Sequence, residues 1–245
     1  MLRHGLRRMS TRPQFISFDA FDTLYTPRDP IAIQYHRIGQ EFGYDISVAS
    51  IEKDFPVKFK KLLNKYPNYG KYSKDIRSCD EWWSTLIVDV FNISHFSKDI
   101  QSEAFCKRLL YHFTTPDAYR VFDDVVPTLY KLKDMNIPMI VSSNSDSRTV
   151  QVLENLGLSK YFNHIYLSYD LGSSKPSQGF YDSILKRENV VSGEDCWHVG
   201  DELVKDYKAA RNAGWNSVLL NRDSSVHVEN IASISNLNDL LKIFA

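Results

Sequence analysis

At 245 residues the chain is long enough to bury a sizeable core, as one large domain or as a core domain carrying a smaller insert. With 43% apolar and 24% charged residues it has the composition of a folded protein, which excludes extensive disorder. Thirty basic and thirty acidic side chains cancel, so net charge indicates neither nucleic acid nor a membrane surface, and no apolar run approaches the ~18 residues of a membrane span.

The chain begins MLRHGLRRMSTRPQFISF, in which Arg3, Arg7, Arg8 and Arg12 precede any acid and Leu2 and Leu6 share a helical face. Residues 1–13 therefore read as a basic segment with two explanations. One is an organelle-targeting sequence, which would make the protein mitochondrial; the other is a frayed terminus on an intracellular protein of the cytoplasm or nucleus. Cys79, Cys106 and Cys196 lie far apart and form no CxxC pair, so neither zinc nor a disulfide framework is indicated, which suits a reducing compartment.

The first strand is expected over residues 15–18, FISF, with Asp19 at its end. Residues 27–115 then offer helices and no convincing strand. The first of these helices runs from Asp29 and Pro30 through Ile31, Tyr35, Ile38 and Phe42 to Gly43. Others follow over 48–65, with Pro56 kinking it, and over 80–91 and 98–113. Trp82 and Trp83 read as core of this block. Beyond it, strands over 138–142, 164–167, 197–199 and 217–220 alternate with helices. One helix has Asp124 as its cap, Pro127 in its first turn and Leu129 and Leu132 facing in. Another carries Val150, Leu153 and Leu156 and stops at Gly157; a third carries Leu203, Tyr207 and Ala210 and stops at Gly214. The expectation is an α/β fold: a doubly wound parallel-sheet core from residues 14–26 and 116–245, interrupted by an α-helical block over 27–115.

Ligands of such sheets bind where strands end. Four strand ends here carry suitable residues: Asp19, followed by Asp22 and Thr23; Ser143-Asn144 after PMIVS; Lys175-Pro176 in YDLGSSKPSQGF; and Asp201 with Asp206 in HVGDELVKD. A hydroxyl and helix-start amides at Ser143-Asn144 suit an anion, and Lys175 offers a fixed positive charge. Each alone has an ordinary explanation, since Ser-Asn caps helices, Lys-Pro is common in surface loops and Gly-Asp is a common turn. Four in this order are harder to dismiss.

In this the sequence resembles the haloacid dehalogenase superfamily of hydrolases. Asp19 through Leu24 match its first motif, Ser143-Asn144 the second, Lys175 the third and Gly200-Asp201-x4-Asp206 the fourth. The Asp-x-x-Asp-Thr-Leu form is most similar to the subgroup typified by haloacid dehalogenase-like hydrolase domain-containing protein 3. The resemblance implies a Rossmann-like core with the helical block as its cap, which closes over the site and selects the substrate. It implies that Asp19 is the catalytic nucleophile, forming an aspartyl-phosphate. Lys175 would be catalytic and would also bind the phosphate together with Ser143 and Asn144. Mg²⁺ would be held by Asp19, the backbone carbonyl of Phe21, Asp201 and Asp206. The partner would be a small phosphorylated metabolite.

One position departs from the family. Two residues after the nucleophile its phosphatases carry an aspartate, which protonates the leaving group and later activates water, and this chain has Phe21. General acid–base help contributes about 10²–10⁴-fold, so its loss slows turnover without removing metal or phosphate binding. Three readings stay open: a phosphatase of weak or unusual activity, a catalytically impaired protein that binds phosphate or a protein partner, and a dehalogenase. Family dehalogenases carry an aromatic residue here but work without Mg²⁺, and the acids Asp201 and Asp206 count against that reading. Finally, Lys58 to Arg77 hold seven basic residues against one acid, Asp75, interleaved with Phe59, Tyr66, Tyr69 and Tyr72. That texture suits a polyanion, although charge-rich helix faces are usually just solvated.

Overall fold

A computed structural model describes residues 12–93, 100–223 and 231–244. Residues 1–11, which carry most of the targeting expectation, lie outside the described residues, as does the expected start of the helix over 98–113. In chain order the strands are β1 (Phe15–Phe18), β2 (Tyr25–Pro27), β3 (Tyr119–Val121), β4 (Met139–Ser143), β5 (His164–Leu167), β6 (Cys196–Gly200), β7 (Asn216–Leu220) and β8 (Ser233–Ile234). The α-helices are α1 (Ile31–Glu41), α2 (Val48–Lys65), α3 (Cys79–Val90), α4 (Ile100–His112), α5 (Val125–Asp134), α6 (Arg148–Asn155), α7 (Ser168–Leu171), α8 (Gln178–Glu188), α9 (Ala209–Asn212) and α10 (Leu241–Phe244). Two compact units result. The first takes the chain before Pro27, Val121–Asn144 and everything from Gly157 onward; the second takes Pro27–Arg120 and Ser145–Leu156.

The first unit is built on a six-stranded sheet in the order β5-β4-β1-β6-β7-β8, with every pairing parallel. β1, β4 and β6 are buried along their whole length. That is why they read in sequence as near-continuous apolar runs rather than alternating ones. From β1 the chain reaches β4 and then β5 on one side, and afterwards β6 and β7 on the other. β1 therefore sits at the switch point of a doubly wound sheet, where a crevice opens beyond the strand ends. β2 and β3 pair separately as a two-stranded sheet.

All five expected strands form, and β8, β2 and β3 were too short to carry a pattern. Three local expectations fail for physical reasons. Asp124 does not cap α5: its backbone is helical and its carboxylate instead accepts from Arg222 Nη1 at 2.9 Å and from the Leu237 amide at 2.8 Å. α6 buries Thr149, Val152 and Leu153, so Val152 takes the inward position expected for Val150. The segment after Gly200 begins as one turn of π-helix, Leu203–Lys208, before α9. This turn carries Asp206 inward, where it is 2% exposed.

The second unit is helical. Its core joins Tyr35 and Ile38 of α1, Ile51 and Leu62 of α2, Trp82, Leu86 and Val90 of α3, and Phe105 and Leu109 of α4. α2 spans Pro56 without breaking, and Ser47 caps it by accepting from the Ser50 amide at 3.2 Å. Trp83 packs against this core and donates Nε1–H to Asp146 at 2.8 Å, while the Arg148 guanidinium lies 4.7 Å from its ring centroid. In the basic stretch Phe59, Tyr66 and Tyr69 pack against the same core, leaving Tyr72, 75% exposed, as the outward aromatic. A row of stacking platforms is therefore not what this segment presents. Among the described residues no helix is long and apolar enough to cross a membrane.

Candidate active site

Asp19 follows β1, Ser143 ends β4 and Asp201 follows β6, three adjacent strands whose parallel register brings their C-terminal ends side by side. Continuation of the β1–β6 ladder by the Asp19 amide, which donates to the Val199 carbonyl at 2.9 Å, fixes where the Asp19 side chain begins. Carboxylate oxygens of Asp19, Asp201 and Asp206 lie within 4.8 Å of one another. Into this group projects Lys175, only 3% exposed. Its Nζ donates to Asp19 Oδ1 at 2.6 Å, to Asp206 Oδ1 at 2.6 Å and to the Ser142 carbonyl at 3.1 Å. An ammonium has three N–H groups, and each has an acceptor.

The electrostatics follow from one cation facing several buried acids. Burial raises Asp19 to about 7, with the Asp206 and Asp201 charges adding to it and Lys175 opposing. Burial and the Asp206 charge raise Asp201 to about 6. Burial would raise Asp206 too, but Lys175 and His198 outweigh it and hold that carboxyl well below the usual range. Lys175 is held firmly protonated, because Asp19 and Asp206 together outweigh the penalty of burying it.

The surrounding residues are fixed in turn. Thr23 donates its hydroxyl to Asp201 Oδ1 at 3.1 Å, and its carbonyl accepts from Arg222 Nη2 at 2.8 Å. Asn144 uses both ends of its amide on the Lys175 backbone, donating to the carbonyl and accepting from the N–H at 2.8 Å each. Its side-chain amide therefore braces the Lys175 loop. Ser143 is buried at the end of β4. Gly200 is needed where it stands: a Cβ there would lie 2.3 Å from Asp206 Cγ.

Phe21 is 38% exposed and meets Tyr25 edge-on, with ring centroids 6.2 Å apart. Asp22 follows it and bonds within its own turn. Its backbone takes the left-handed conformation, φ 55°, and its carboxylate accepts from Thr26 Oγ1 at 2.7 Å. Four residues that sequence reasoning passed over belong to the constellation: Ser17, Ser142, His198 and Arg222. The available signal was polarity inside fully buried strands, namely Ser17 in FISF, Ser142 in MIVSS and His198 in CWHVG.

A doubly wound sheet with acids at the ends of neighbouring central strands and a buried lysine between them defines a hydrolase class. The chain belongs to the haloacid dehalogenase-like hydrolases, whose family model matches residues 14–214. It is 35% identical over 227 residues to the uncharacterized protein YMR130W of Saccharomyces cerevisiae, covering 86% of this chain and 73% of that one. It is 30% identical over 209 residues to haloacid dehalogenase-like hydrolase domain-containing protein 3 of Danio rerio, covering 85% of each, in keeping with the subgroup indicated by the first motif. Among solved structures, the HAD hydrolase YfnB from Bacillus subtilis, bound to magnesium, superposes with a TM-score of 0.71 at 19% identity, over 96% of this chain and 99% of that one.

Proposed function

We propose that the protein is a Mg²⁺-dependent, phosphatase-type hydrolase that works through an aspartyl-phosphate on Asp19, with residues 27–115 as its cap. The observation that carries this reading is the convergence of Lys175, Asp19, Asp201 and Asp206. The acids fit a hard divalent cation. Three carboxylates lie within one ion's reach, two of them raised by burial and mutual repulsion that a cation would relieve, and the second oxygen of Asp19 accepts no hydrogen bond from the described residues. Asp19, Asp201, the Phe21 carbonyl and Asp206 would hold Mg²⁺, which when bound neutralises charge on the transferring phosphoryl group.

The chain's own residues would then act as follows. Asp19 attacks phosphorus, the bond to the leaving oxygen breaks, and Lys175 and the Ser143 hydroxyl hold the phosphoryl oxygens. Phe21 offers no proton, so the leaving group departs as its anion. Substrates with weakly basic leaving groups, such as acyl phosphates or aryl phosphates, are therefore favoured over alkyl esters. The same residue gives no base for the water that must release the aspartyl-phosphate, so the intermediate should persist. Phe21 also favours a second reading, a catalytically impaired protein that binds phosphate or a partner. Rapid-quench labelling of Asp19 with an aryl or acyl phosphate, with and without Mg²⁺, separates the two. A Mg²⁺-dependent burst of labelled Asp19 supports the hydrolase, and its absence with every phosphate offered supports the binding protein.

A further inference from the structure

His198 is wholly buried on an inner strand of the parallel sheet, between Trp197 and Val199, and nothing in the proposed chemistry uses it. Its imidazole has a partner on each nitrogen: Nε2 lies 3.0 Å from Asp206 Oδ1 and Nδ1 lies 3.2 Å from Ser17 Oγ. Ser17, its register partner on β1, lies 2.6 Å from Ser142 Oγ on β4, and the Ser142 carbonyl accepts from Lys175 Nζ. The contacts close into a ring through three adjacent strands: Ser142, Ser17, His198, Asp206, Lys175 and back to Ser142.

One proton order satisfies every partner in the ring. The Asp206 carboxylate can only accept, so the imidazole proton facing it sits on Nε2. With that proton on Nε2 and Lys175 already bringing a positive charge to the same oxygen, a neutral imidazole leaves Nδ1 as an acceptor. Ser17 must then donate to Nδ1, and Ser142 must donate to Ser17. Asp206 is held on its other side as well: Oδ2 accepts the Glu202 amide at 2.9 Å, and the carboxyl group lies so close to Gly200 that a Cβ there would meet its Cγ at 2.3 Å. Without His198, Oδ1 would be held only by the tip of a lysine, a long flexible side chain.

We propose that His198, oriented by Ser17, is a positioning residue that fixes the Asp206 carboxylate and through it sets the Lys175 ammonium against Asp19. The proposal rests on the hydrolase reading for its kinetic consequence, although not for the hydrogen-bond order itself. A point charge held still by a rigid carboxylate stabilises transition-state charge without reorganising, and groups that orient such ligands typically contribute about 10–100-fold.

Two measurements on the full chain test it. In ¹⁵N-histidine-labelled wild type, His198 should appear as the Nε2–H tautomer, and Ser17→Ala should shift its Nδ1 resonance. An Nδ1–H tautomer, or an Nδ1 indifferent to Ser17→Ala, would overturn the proposal. With 4-nitrophenyl phosphate and Mg²⁺, His198→Leu should lower kcat about 10–100-fold while KM moves less than about threefold. His198→Gln, which can present an amide N–H near the Nε2 position, should recover most of that loss. A folded His198→Leu protein with wild-type kcat, or a loss shared equally by His198→Gln, counts against positioning. Should wild type turn over no phosphate ester, the hydrolase reading fails instead, and the tautomer and its response to Ser17→Ala decide the proposal. The same spectra decide it if His198→Leu does not fold.

Discussion

Replacing Phe21 by aspartate asks whether the site lacks only its acid–base group. A fully buried phenylalanine contributes up to about 3 kcal/mol by burial, and this ring is 38% exposed, so its removal should cost about 1–2 kcal/mol. Loss of the edge-on contact with Tyr25 adds about 0.5–1.5 kcal/mol. The bridge between Phe21 and Tyr25 is made by backbone and survives the change. A carboxylate in a position this exposed keeps access to water and escapes the penalty of several kcal/mol for a buried charge. The variant should therefore fold with a modestly lowered melting temperature. Its kcat/KM should rise by up to ~10²–10⁴ on alkyl phosphates and least on 4-nitrophenyl phosphate, whose leaving oxygen needs a proton least. Asp19→Asn should silence both backgrounds, because an amide is a poor nucleophile. Steady-state rates across leaving groups of graded basicity, with melting curves alongside, make the measurement. A folded Phe21→Asp protein that binds Mg²⁺ and gains nothing on any ester would refute the reasoning and favour the binding-protein reading.

Gly200→Ala should destabilise the first unit by about 3 kcal/mol in urea unfolding. The new methyl would sit 2.3 Å from Asp206 Cγ, so overpacking adds to a disturbed charged hydrogen bond; an unchanged midpoint would contradict this. Millimolar Mg²⁺ should raise the wild-type melting temperature in saturating phosphate and leave Asp201→Asn unaffected, whereas an equal rise in both would remove Asp201 from the ligand set. Arg222→Met should cost about 3–5 kcal/mol, since it strands the Asp124 carboxylate without its counter-charge and frees the Thr23 carbonyl; chemical denaturation reads it directly. Burial would raise Asp146, but two hydrogen bonds from the Arg148 side chain and one from Trp83 lower it. A depressed folded pKa means this stabilisation is complete above the unfolded value of ~3.9 and is lost as pH falls through the folded one. Asp146→Asn should therefore be less stable than wild type at pH 7 and decline less between about pH 4 and 2; parallel acid-denaturation slopes would disprove the assignment.

The sequence by itself determined the layers and the outline of the site. Strands buried on both faces are largely apolar, so FISF, WHV and their neighbours were legible as a parallel sheet. The rule that ligands gather at strand ends then selected Asp19, Ser143 and Asp201 before any coordinates. What the tertiary structure alone decided is how those residues are held. The π-turn that carries Asp206 inward leaves no periodic trace, because it is a change in backbone hydrogen bonding and not in side-chain pattern. Asn144 matched a ligand motif, and its side-chain amide closes on the Lys175 backbone, a contact between residues 31 apart that only the folded loops create. Asp124 looked like a helix cap because capping is local, and it became an ion-pair partner because Arg222, 98 residues on, offers a stronger bond. Ser17 and His198 were visible as polar residues in apolar strands, but their meaning depended on register. Only when β1 lies between β4 and β6 do a serine, a histidine and an aspartate line up beneath Lys175.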